Sequence, residues 1–230
     1  MDFSGWEKLS LLDYDDNITT TLFMAGCPFR CPFCHNSDLV LRPDKAPKIP
    51  WEEILAYLQK RQGVLDAVCI SGGEPTLMDD LEEKIKAIKS LGYLVKLDSN
   101  GWRPAILRRL IENKLVDYVA MDIKNSEAKY HATCGTKVDM DQIKASIALL
   151  KENQVDYEFR TTLVNELHKD SDLEGIIELV RGAKRYFLQM YIDSDHCIIG
   201  GFHPVPKEKA LQWKEILAKV VDFVALRGYE

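Results

Sequence analysis

The sequence predicts an α/β fold, a partial (β/α)6 barrel with parallel strands, on three observations. Six apolar runs have the length and the β-branched and aromatic composition of strands. A helical periodicity of apolar residues follows each run. No linker or low-complexity segment interrupts the 230 residues. Six strand–helix units are fewer than a closed eight-stranded barrel needs, and a doubly wound flat sheet is the alternative.

The strands are predicted from short runs rich in valine, isoleucine, threonine and aromatic residues. These runs cover residues 17–25, 65–71, 93–99, 116–124, 155–164 and 185–192. Because a helical pattern lies between each run and the next, we expect the strands to be parallel in one sheet with the helices outside it.

The helices are predicted from apolar residues at intervals of three and four. Their patterns cover residues 51–58, 81–88, 104–113, 140–150, 173–180 and 206–217. Gly92 follows the second pattern as an expected C-cap, and Pro104 suits the first turn of the third. The tail after residue 219 fits either a continued helix or a final strand. We predict a single domain over residues 1–230, with the C-terminal helix and tail over about 206–230.

The charge and the apolar pattern argue against several classes of protein. The net charge is −6, with 46% hydrophobic and 29% charged residues, which is typical of a globular domain. An acidic chain is not expected to bind nucleic acid nonspecifically. The N-terminal segment does not resemble a signal peptide, and no apolar stretch approaches the ~20 residues that span a bilayer. We therefore expect a cytoplasmic protein that binds neither membranes nor nucleic acid.

Three cysteines occur close together in the loop 26–36, which follows the first predicted strand. Cys27, Cys31 and Cys34 are spaced C-x3-C-x2-C. In a reducing compartment such a group indicates a metal or redox site before a disulfide. Zinc needs a fourth ligand, and His35 is an unfavourable one because adjacent residues rarely reach one tetrahedral centre. A 4Fe–4S cluster fits better, since three cysteines leave one iron open to another ligand.

The remaining cysteines are isolated from that group. Cys69 lies in an apolar run and is expected in the core. Cys134 and Cys197 are expected in polar loops, and the sequence assigns them no function.

Polar residues follow the predicted strands where chemistry is expected in parallel α/β folds, at the carboxyl ends. Each segment also has a purely structural interpretation, as a turn, a local ion pair or an exposed strand residue. Their coincidence at one edge of the sheet favours a binding site. The segments are Ser71–Thr76 (SGGEPT), Asp98–Gly101 (DSNG), Asp122 with Lys124, Arg160–Thr162 and Gln189.

A family resemblance rests on the cysteine spacing and the glycine motif together. The three cysteines, with Phe33 before the last and Gly72-Gly73-Glu74 after the second strand, resemble the radical S-adenosylmethionine (SAM) superfamily. The later motifs DSNG, AMDIK and EFRTTLV are similar in order to those of glycyl-radical enzyme activating enzymes. The resemblance is strongest to the activating proteins of anaerobic ribonucleoside-triphosphate reductase, and pyruvate formate-lyase activating enzymes are near relatives. It extends from the first to about the sixth predicted strand.

Two departures from the family pattern concern the target and not the chemistry. The segment before the cysteines is DYDDN where relatives often have DYPG, and Asn165-Glu166 follows RTTLV where a proline is common. The extra cysteine clusters of longer activating enzymes with a ferredoxin-like insertion do not occur in this sequence.

The resemblance implies an enzyme with a 4Fe–4S cluster and SAM as cofactors. Cys27, Cys31 and Cys34 would hold three irons, and the methionine amine and carboxylate of SAM would bind the fourth. An external reductant such as flavodoxin or ferredoxin would supply one electron. Cleavage of the C5′–S bond would give methionine and a 5′-deoxyadenosyl radical, which would take a hydrogen atom from a glycine Cα of a partner glycyl-radical enzyme.

The resemblance also implies roles for residues at the strand ends. Gly72 and Gly73 would line the methionine moiety, and Glu74 or neighbouring carbonyls would receive the amine. The remaining contacts to SAM would come from Phe33, His35, Ser71, Asn100, Lys124, Arg160 and Gln189. Asp98, Ser99 and Asp122, with the Ala120 carbonyl, match positions of a monovalent cation in pyruvate formate-lyase activating enzymes.

Two other functions remain open from the sequence. One is a radical SAM enzyme with a small-molecule substrate, similar to 7-carboxy-7-deazaguanine synthase. The other is a non-catalytic electron-transfer or structural zinc protein. The absence of a G-x4-G-K-[ST] phosphate-binding loop argues against direct nucleotide reduction by this chain.

Overall fold

The computed structural model of the chain describes residues 2–229. Over those residues eight strands form one sheet in sequence order, β1 to β8. Strand β1 is antiparallel to β2, and each later pair is parallel. The strands are Phe3–Ser10, Thr19–Met24, Ala67–Gly72, Leu94–Ser99, Tyr118–Asp122, Asp156–Leu163, Arg185–Met190 and Phe223–Arg227.

Helices connect the parallel strands, as the sequence predicts. In chain order α1 to α8 they are Ser37–Leu41, Trp51–Arg61, Leu81–Ser90, Pro104–Glu112, Glu127–Cys134, Met140–Lys151, Asp170–Val180 and Lys207–Leu217. The six predicted helices correspond to α2, α3, α4, α6, α7 and α8. A single turn of 3-10 helix, Pro75–Leu77, follows β3.

The sheet is curved into a partial barrel, which confirms the predicted fold class and excludes the flat doubly wound alternative. Strands β1 and β8 stand at opposite ends of the strand order. Even so, Arg227 of β8 forms an ion pair with Asp15, in the loop between β1 and β2, at 3.2 Å. A flat sheet of eight strands would separate those two edges by the width of six further strands, at about 4.8 Å each.

The predicted count of six strands was two too low. Strand β1 was not predicted because its second half is exposed and carries the charged Glu7 and Lys8, as expected at a sheet edge. The undecided tail forms β8, which pairs with β7 from Arg185 to Gln189. Helices α1 and α5 were also missed. The first has only five residues, and the second buries Tyr130, Thr133 and Cys134 without a strong apolar periodicity.

The two faces of the parallel strands differ in chemistry. Side chains on the outer face are apolar and pack against the helices, among them Val68, Ile70, Val95, Leu97, Val119 and Met121, all fully buried. Alternate residues face the inside of the barrel. These inner residues form ion pairs and hydrogen bonds with one another, including Lys96, Asp98, Asp122, Glu158 and Arg160. The barrel therefore has an apolar outer layer and a charged interior.

No helix within residues 2–229 has the length and apolar character needed to cross a membrane.

Candidate active site at the carboxyl ends of the strands

An open cavity of about 240 Å³ lies at the carboxyl ends of the parallel strands. Every site residue predicted from the sequence lines it except Glu74. These residues are Cys27, Cys31, Phe33, Cys34, His35, Ser71, Gly72, Gly73, Asp98, Ser99, Asn100, Asp122, Lys124, Arg160 and Gln189.

The cysteine loop is held against the glycine turn by backbone contacts. The Gly73 N–H donates to the Met24 carbonyl at 2.7 Å, and the Glu74 N–H donates to the Gly26 carbonyl at 2.8 Å. A Cβ on Gly73 would stand 2.0 Å from the Gly26 oxygen, so no residue with a side chain fits this approach. Gly73 therefore lets β3 support the loop that carries the cysteines.

The three thiols surround the cavity and do not converge on one point. Within residues 2–229 no three His, Cys, Asp or Glu side chains are placed to hold a single metal ion. A tetrahedral zinc site needs all its ligands about 2.0 to 2.3 Å from one atom. The thiolates of a 4Fe–4S cluster bind separate irons and need not meet at one atom, so this arrangement is compatible with a cluster.

The thiols differ in their surroundings. Burial raises the pKa of Cys27 to about 12, although the Phe29 N–H donates to its sulfur at 3.4 Å. Burial also raises the pKa of Cys34. The pKa of Cys31 is lowered, and the largest cause is a hydrogen bond from the Cys134 thiol. Iron binding at Cys27 and Cys34 must therefore displace a proton from each.

Glu74 has a different place from the one predicted. Its side chain is fully buried behind the cavity wall and accepts four hydrogen bonds, two from Thr76, one from the Ser99 hydroxyl and one from the Asn100 N–H. The Glu74 carboxylate therefore already has its hydrogen-bond partners within the protein. Glu74 joins the turn after β3 to the turn after β4 and does not present an acceptor to the cavity.

The charged residues on the cavity floor form one network. Arg160 lies 3.3 Å from Asp98 and 3.2 Å from Asp122, and Lys124 lies 2.9 Å from Asp122. Lys96 approaches Asp98 from below at 3.2 Å. Burial alone would raise the pKa of both carboxyl groups. Arg160 and Lys96 nevertheless hold the pKa of Asp98 below its usual range. Lys124 and Arg160 do the same for the pKa of Asp122.

This network places cationic side chains of the protein beside Asp98 and Asp122, two of the residues predicted to hold a monovalent cation with Ser99. The prediction assumed two carboxylates in need of a counterion, whereas three cationic side chains of the chain already neutralise them. The Ser99 hydroxyl is directed to Glu74, at 2.9 Å. The cation therefore stays a prediction for which the described residues supply no unbalanced charge.

The remaining predicted residues occupy the walls. The Ser71 hydroxyl donates to Asp98 at 3.1 Å, and the Lys124 ammonium lies 5.9 Å from the centre of the Phe33 ring. His35 Nε2 is 2.6 Å from the Ile192 carbonyl oxygen, which anchors the histidine to the segment after β7. Gln189 lines the side of the cavity formed by β7.

The segment 191–206 after β7 packs on the cysteine loop. The N–H groups of Ile198 and Ile199 donate to the carbonyls of Cys34 and Pro32, at 3.2 and 2.8 Å. Cys197 lies in this segment, as predicted, but it is nearly buried and accepts a hydrogen bond from Tyr191 at 3.3 Å. The segment therefore fixes the backbone of the cysteine loop from the side opposite β3.

The structure adds three residues that the sequence did not indicate. Cys134 ends α5 and is fully buried, not exposed in a polar loop, and its carbonyl accepts from the Arg30 N–H at 2.8 Å. His168 is fully buried, with Nδ1 3.0 Å from the Val164 nitrogen and Nε2 2.8 Å from the Lys124 oxygen. Asn36 donates to the Gly72 carbonyl at 2.9 Å. All three support the cavity through backbone contacts that no local motif encodes.

Comparison with known families shows a match over most of the chain. Residues 21–180 match the family model described as the radical SAM superfamily. A Methanocaldococcus jannaschii protein, described by inference as a glycyl-radical enzyme activating enzyme, is 35% identical over 97% of this chain and 95% of its own length. A pyruvate formate-lyase-activating enzyme of Listeria monocytogenes is 30% identical, over half of each chain.

Solved structures share the fold at low sequence identity. Streptococcus suis SuiB superposes with a TM-score of 0.71 and 14% identity, covering 90% of this chain and 48% of SuiB. A domain of a Bacteroides vulgatus pyruvate-formate lyase-activating enzyme superposes with a TM-score of 0.58 and 18% identity, covering 71% of this chain and 99% of the domain. At these identities the likeness concerns the fold alone.

Proposed function

The chain belongs to the radical SAM superfamily, and from that premise we propose that it generates a glycyl radical on a partner enzyme. The partner we propose first, from the motif order, is anaerobic ribonucleoside-triphosphate reductase. Pyruvate formate-lyase is the alternative, and the name of the Listeria monocytogenes relative favours it. The cofactors of the family are a 4Fe–4S cluster and SAM.

One observation carries the proposal. The three cysteines and polar residues from five later strands, β3 to β7, line a single cavity, although 155 positions separate Cys34 from Gln189 in the sequence. A structural loop or an electron-transfer site has no need of this additional polar wall. The cavity therefore supports a bound cosubstrate next to the cluster.

We assign cluster binding to Cys27, Cys31 and Cys34. These residues would hold a cluster that, when bound, would supply one electron from an external reductant for cleavage of SAM to methionine and a 5′-deoxyadenosyl radical, which would take the glycine hydrogen atom. The chain itself would supply the thiolates and the orientation of SAM. The reductant that we propose is a flavodoxin or ferredoxin, and the proposed location is the cytoplasm.

The charges of the cavity floor match a zwitterionic methionine moiety. Asp122 is the most exposed carboxylate of the network, with 29% of its side chain accessible, and Lys124 and Arg160 are 18% and 13% accessible. An α-amino group and an α-carboxylate can each pair with the opposite charge on this floor. This assignment places the α-carboxylate at Lys124 or Arg160 and the amine at nearby backbone carbonyls, since the carboxylates of Glu74 and Asp122 already have partners within the protein.

An incomplete barrel suits a substrate that is a protein loop. Strands β8 and β1 are not paired with each other in the described sheet, and the cavity has an open mouth at the carboxyl ends of the strands. A glycine in an extended loop of a partner can approach the cavity from that side. A small-molecule substrate would not need such access, which is why the activating function is preferred.

Electron paramagnetic resonance of mixtures with candidate partners tests the proposal. The reconstituted, reduced protein is incubated anaerobically with SAM and either the reductase or the lyase from the same source. We expect a glycyl doublet with one of the two, which is lost when the partner's radical glycine is replaced by alanine. Formation of 5′-deoxyadenosine without a glycyl signal on either partner would instead support a small-molecule substrate.

A further inference from the structure

The side-chain amide of Asn100 lies against the sulfur of Cys27. Asn100 Nδ2 is 3.6 Å from Cys27 Sγ, which is hydrogen-bond distance for a sulfur acceptor. Asn100 lines the cavity but is only 5% exposed. The residue was expected to bind SAM, whereas this contact directs it to the proposed cluster ligand.

The orientation of this amide follows from a second hydrogen bond. The backbone N–H of Trp102 points at the other terminal atom of the Asn100 side chain, at 2.9 Å. A backbone N–H is a donor only, so the atom it meets is the amide oxygen, Oδ1. The atom that faces Cys27 is therefore the NH2 group, a donor directed at sulfur.

The turn that carries Asn100 is fixed from behind. The Asn100 N–H donates to Glu74 Oε2 at 2.7 Å, and the Ser99 hydroxyl donates to Glu74 Oε1 at 2.9 Å. The Gly101 N–H donates to the Ser99 oxygen at 3.1 Å. Because Glu74 is buried and held by Thr76 as well, the turn cannot easily rotate the amide away from Cys27.

We propose that Asn100 raises the reduction potential of the cluster by donating a hydrogen bond to the Cys27 thiolate. This inference rests on the proposed ligation of iron by Cys27. Reduction adds negative charge to the cluster and its thiolates, so a donor stabilises the reduced state more than the oxidised state. Asn100 thus makes the cluster easier to reduce by the external carrier.

A redox titration without SAM tests this role independently of catalysis. Wild type, Asn100→Ala and Asn100→Asp are reconstituted, matched for iron and sulfide content, and titrated while the signal of the reduced cluster is recorded. For Asn100→Ala we expect up to about a tenfold loss in the ratio of reduced to oxidised cluster at fixed solution potential, about 59 mV for one electron. Asn100→Asp should shift the potential further in the same direction, because a carboxylate adds negative charge beside the thiolate.

Ser99→Ala is the matched control. This substitution removes the hydrogen bonds of the Ser99 hydroxyl to Glu74 and Gly101. It keeps the two hydrogen bonds that orient the amide, from the Asn100 N–H to Glu74 and from the Trp102 N–H to Asn100 Oδ1. Its potential should stay close to that of the wild type. An unchanged potential in a fully loaded Asn100→Ala protein would overturn the proposal, and so would an equal shift in Ser99→Ala and Asn100→Ala.

A second measurement applies to the unmutated protein, in case the Asn100 variants do not assemble a cluster. With ¹⁵N in asparagine side-chain amides, pulsed electron paramagnetic resonance of the reduced cluster should detect a nitrogen coupling. Asn36→Ser removes the neighbouring amide, which donates to the Gly72 carbonyl, and should leave that coupling in place. Absence of the coupling overturns the role of Asn100, whereas a cluster that persists in Cys27→Ala overturns the ligation on which it rests.

Discussion

Arg160 illustrates how much of this site depends on pairing between distant residues. Its guanidinium lies between Asp98 of β4 and Asp122 of β5, and all three side chains are largely buried. Removing one partner of a buried ion pair leaves a charge without compensation, which costs more than the pair itself contributes. Arg160 therefore has a structural role in the barrel in addition to any contact with SAM.

We predict that Arg160→Met destabilises the protein by about 1 to 3 kcal/mol, because Asp98 and Asp122 lose their shared cation and keep only Lys96 and Lys124 as partners. Urea unfolding at neutral pH measures the change. Adding Asp98→Asn to Arg160→Met should recover part of the loss. The control Arg108→Met breaks exposed ion pairs with Glu112 and Glu152 and should leave the midpoint nearly unchanged. Equal midpoints for wild type and Arg160→Met would contradict the structural role.

His168 predicts a pH dependence of stability. Burial lowers its pKa below the usual value of 6.5, so the folded state keeps the ring neutral while the unfolded chain takes up a proton near pH 6.5. The neutral ring with hydrogen on Nε2 satisfies both contacts, donating to Lys124 and accepting from Val164. The stability from this histidine is present above pH 6.5 and is lost as the pH falls from there toward the folded pKa.

The expected result is a free energy of unfolding that falls by up to about 1.4 kcal/mol per pH unit below pH 6.5. Urea unfolding of wild type and His168→Gln between pH 7 and pH 5 measures the slope. His168→Gln should be less stable at pH 7 but show a shallower slope. His196→Gln, which changes an exposed ring, is the control. The same slope in wild type and His168→Gln would rule out this role of the histidine.

The identity of the site residues could be predicted from the sequence, but their interactions could not. Cys27, Gly73 and Asp122 were found because each lies at a motif or a strand end, positions that follow from local spacing. Three features depend on segments that meet only in the folded chain. They are the direction of the Asn100 amide toward Cys27, the burial of Glu74 and the hydrogen bond of His168 to the Lys124 carbonyl. The residues adjacent in sequence do not indicate these partners.

At the scale of elements, the junction between β3 and the cysteine loop is the tightest contact of the site. The predicted strands and major helices were found because their periodicity is strong, whereas β1, α1 and α5 lack it. The role of Gly73 is also tertiary. A glycine motif after a strand predicts a turn, but the structure shows that the Gly26 carbonyl fills the space where a Cβ would be.

We predict that Gly73→Ala separates the cysteine loop from β3. The added methyl group meets backbone and not a flexible side chain, so we expect a loss of about 1 to 3 kcal/mol in stability and less iron per chain after reconstitution. Iron analysis and urea unfolding measure both effects. Gly200→Ala is the matched control, since its nearest atom would be the Asp193 carboxylate at an ordinary 3.8 Å. Full iron content in Gly73→Ala would show that the close approach is not required.

At the scale of the whole molecule, the barrel combines a charged interior with a cavity at one end. Glu158 accepts from Arg227 at 2.7 Å and from Tyr118 at 2.9 Å, and Arg227 also reaches Asp15. These contacts tie β8 to the loop after β1 at the end of the barrel opposite the cysteines. The cavity at the other end, at the carboxyl ends of the strands, is where the chain brings together cysteines, glycines and paired charges.

The formation of 5′-deoxyadenosine from SAM tests the central claim most directly. The chain is reconstituted anaerobically with iron and sulfide, reduced with dithionite and given SAM, and the product is measured by chromatography. We predict 5′-deoxyadenosine and methionine from the wild type, and neither product nor cluster from Cys31→Ala. A wild-type protein that carries the cluster and binds SAM but forms no 5′-deoxyadenosine, or a Cys31→Ala protein that still cleaves SAM, would contradict the account.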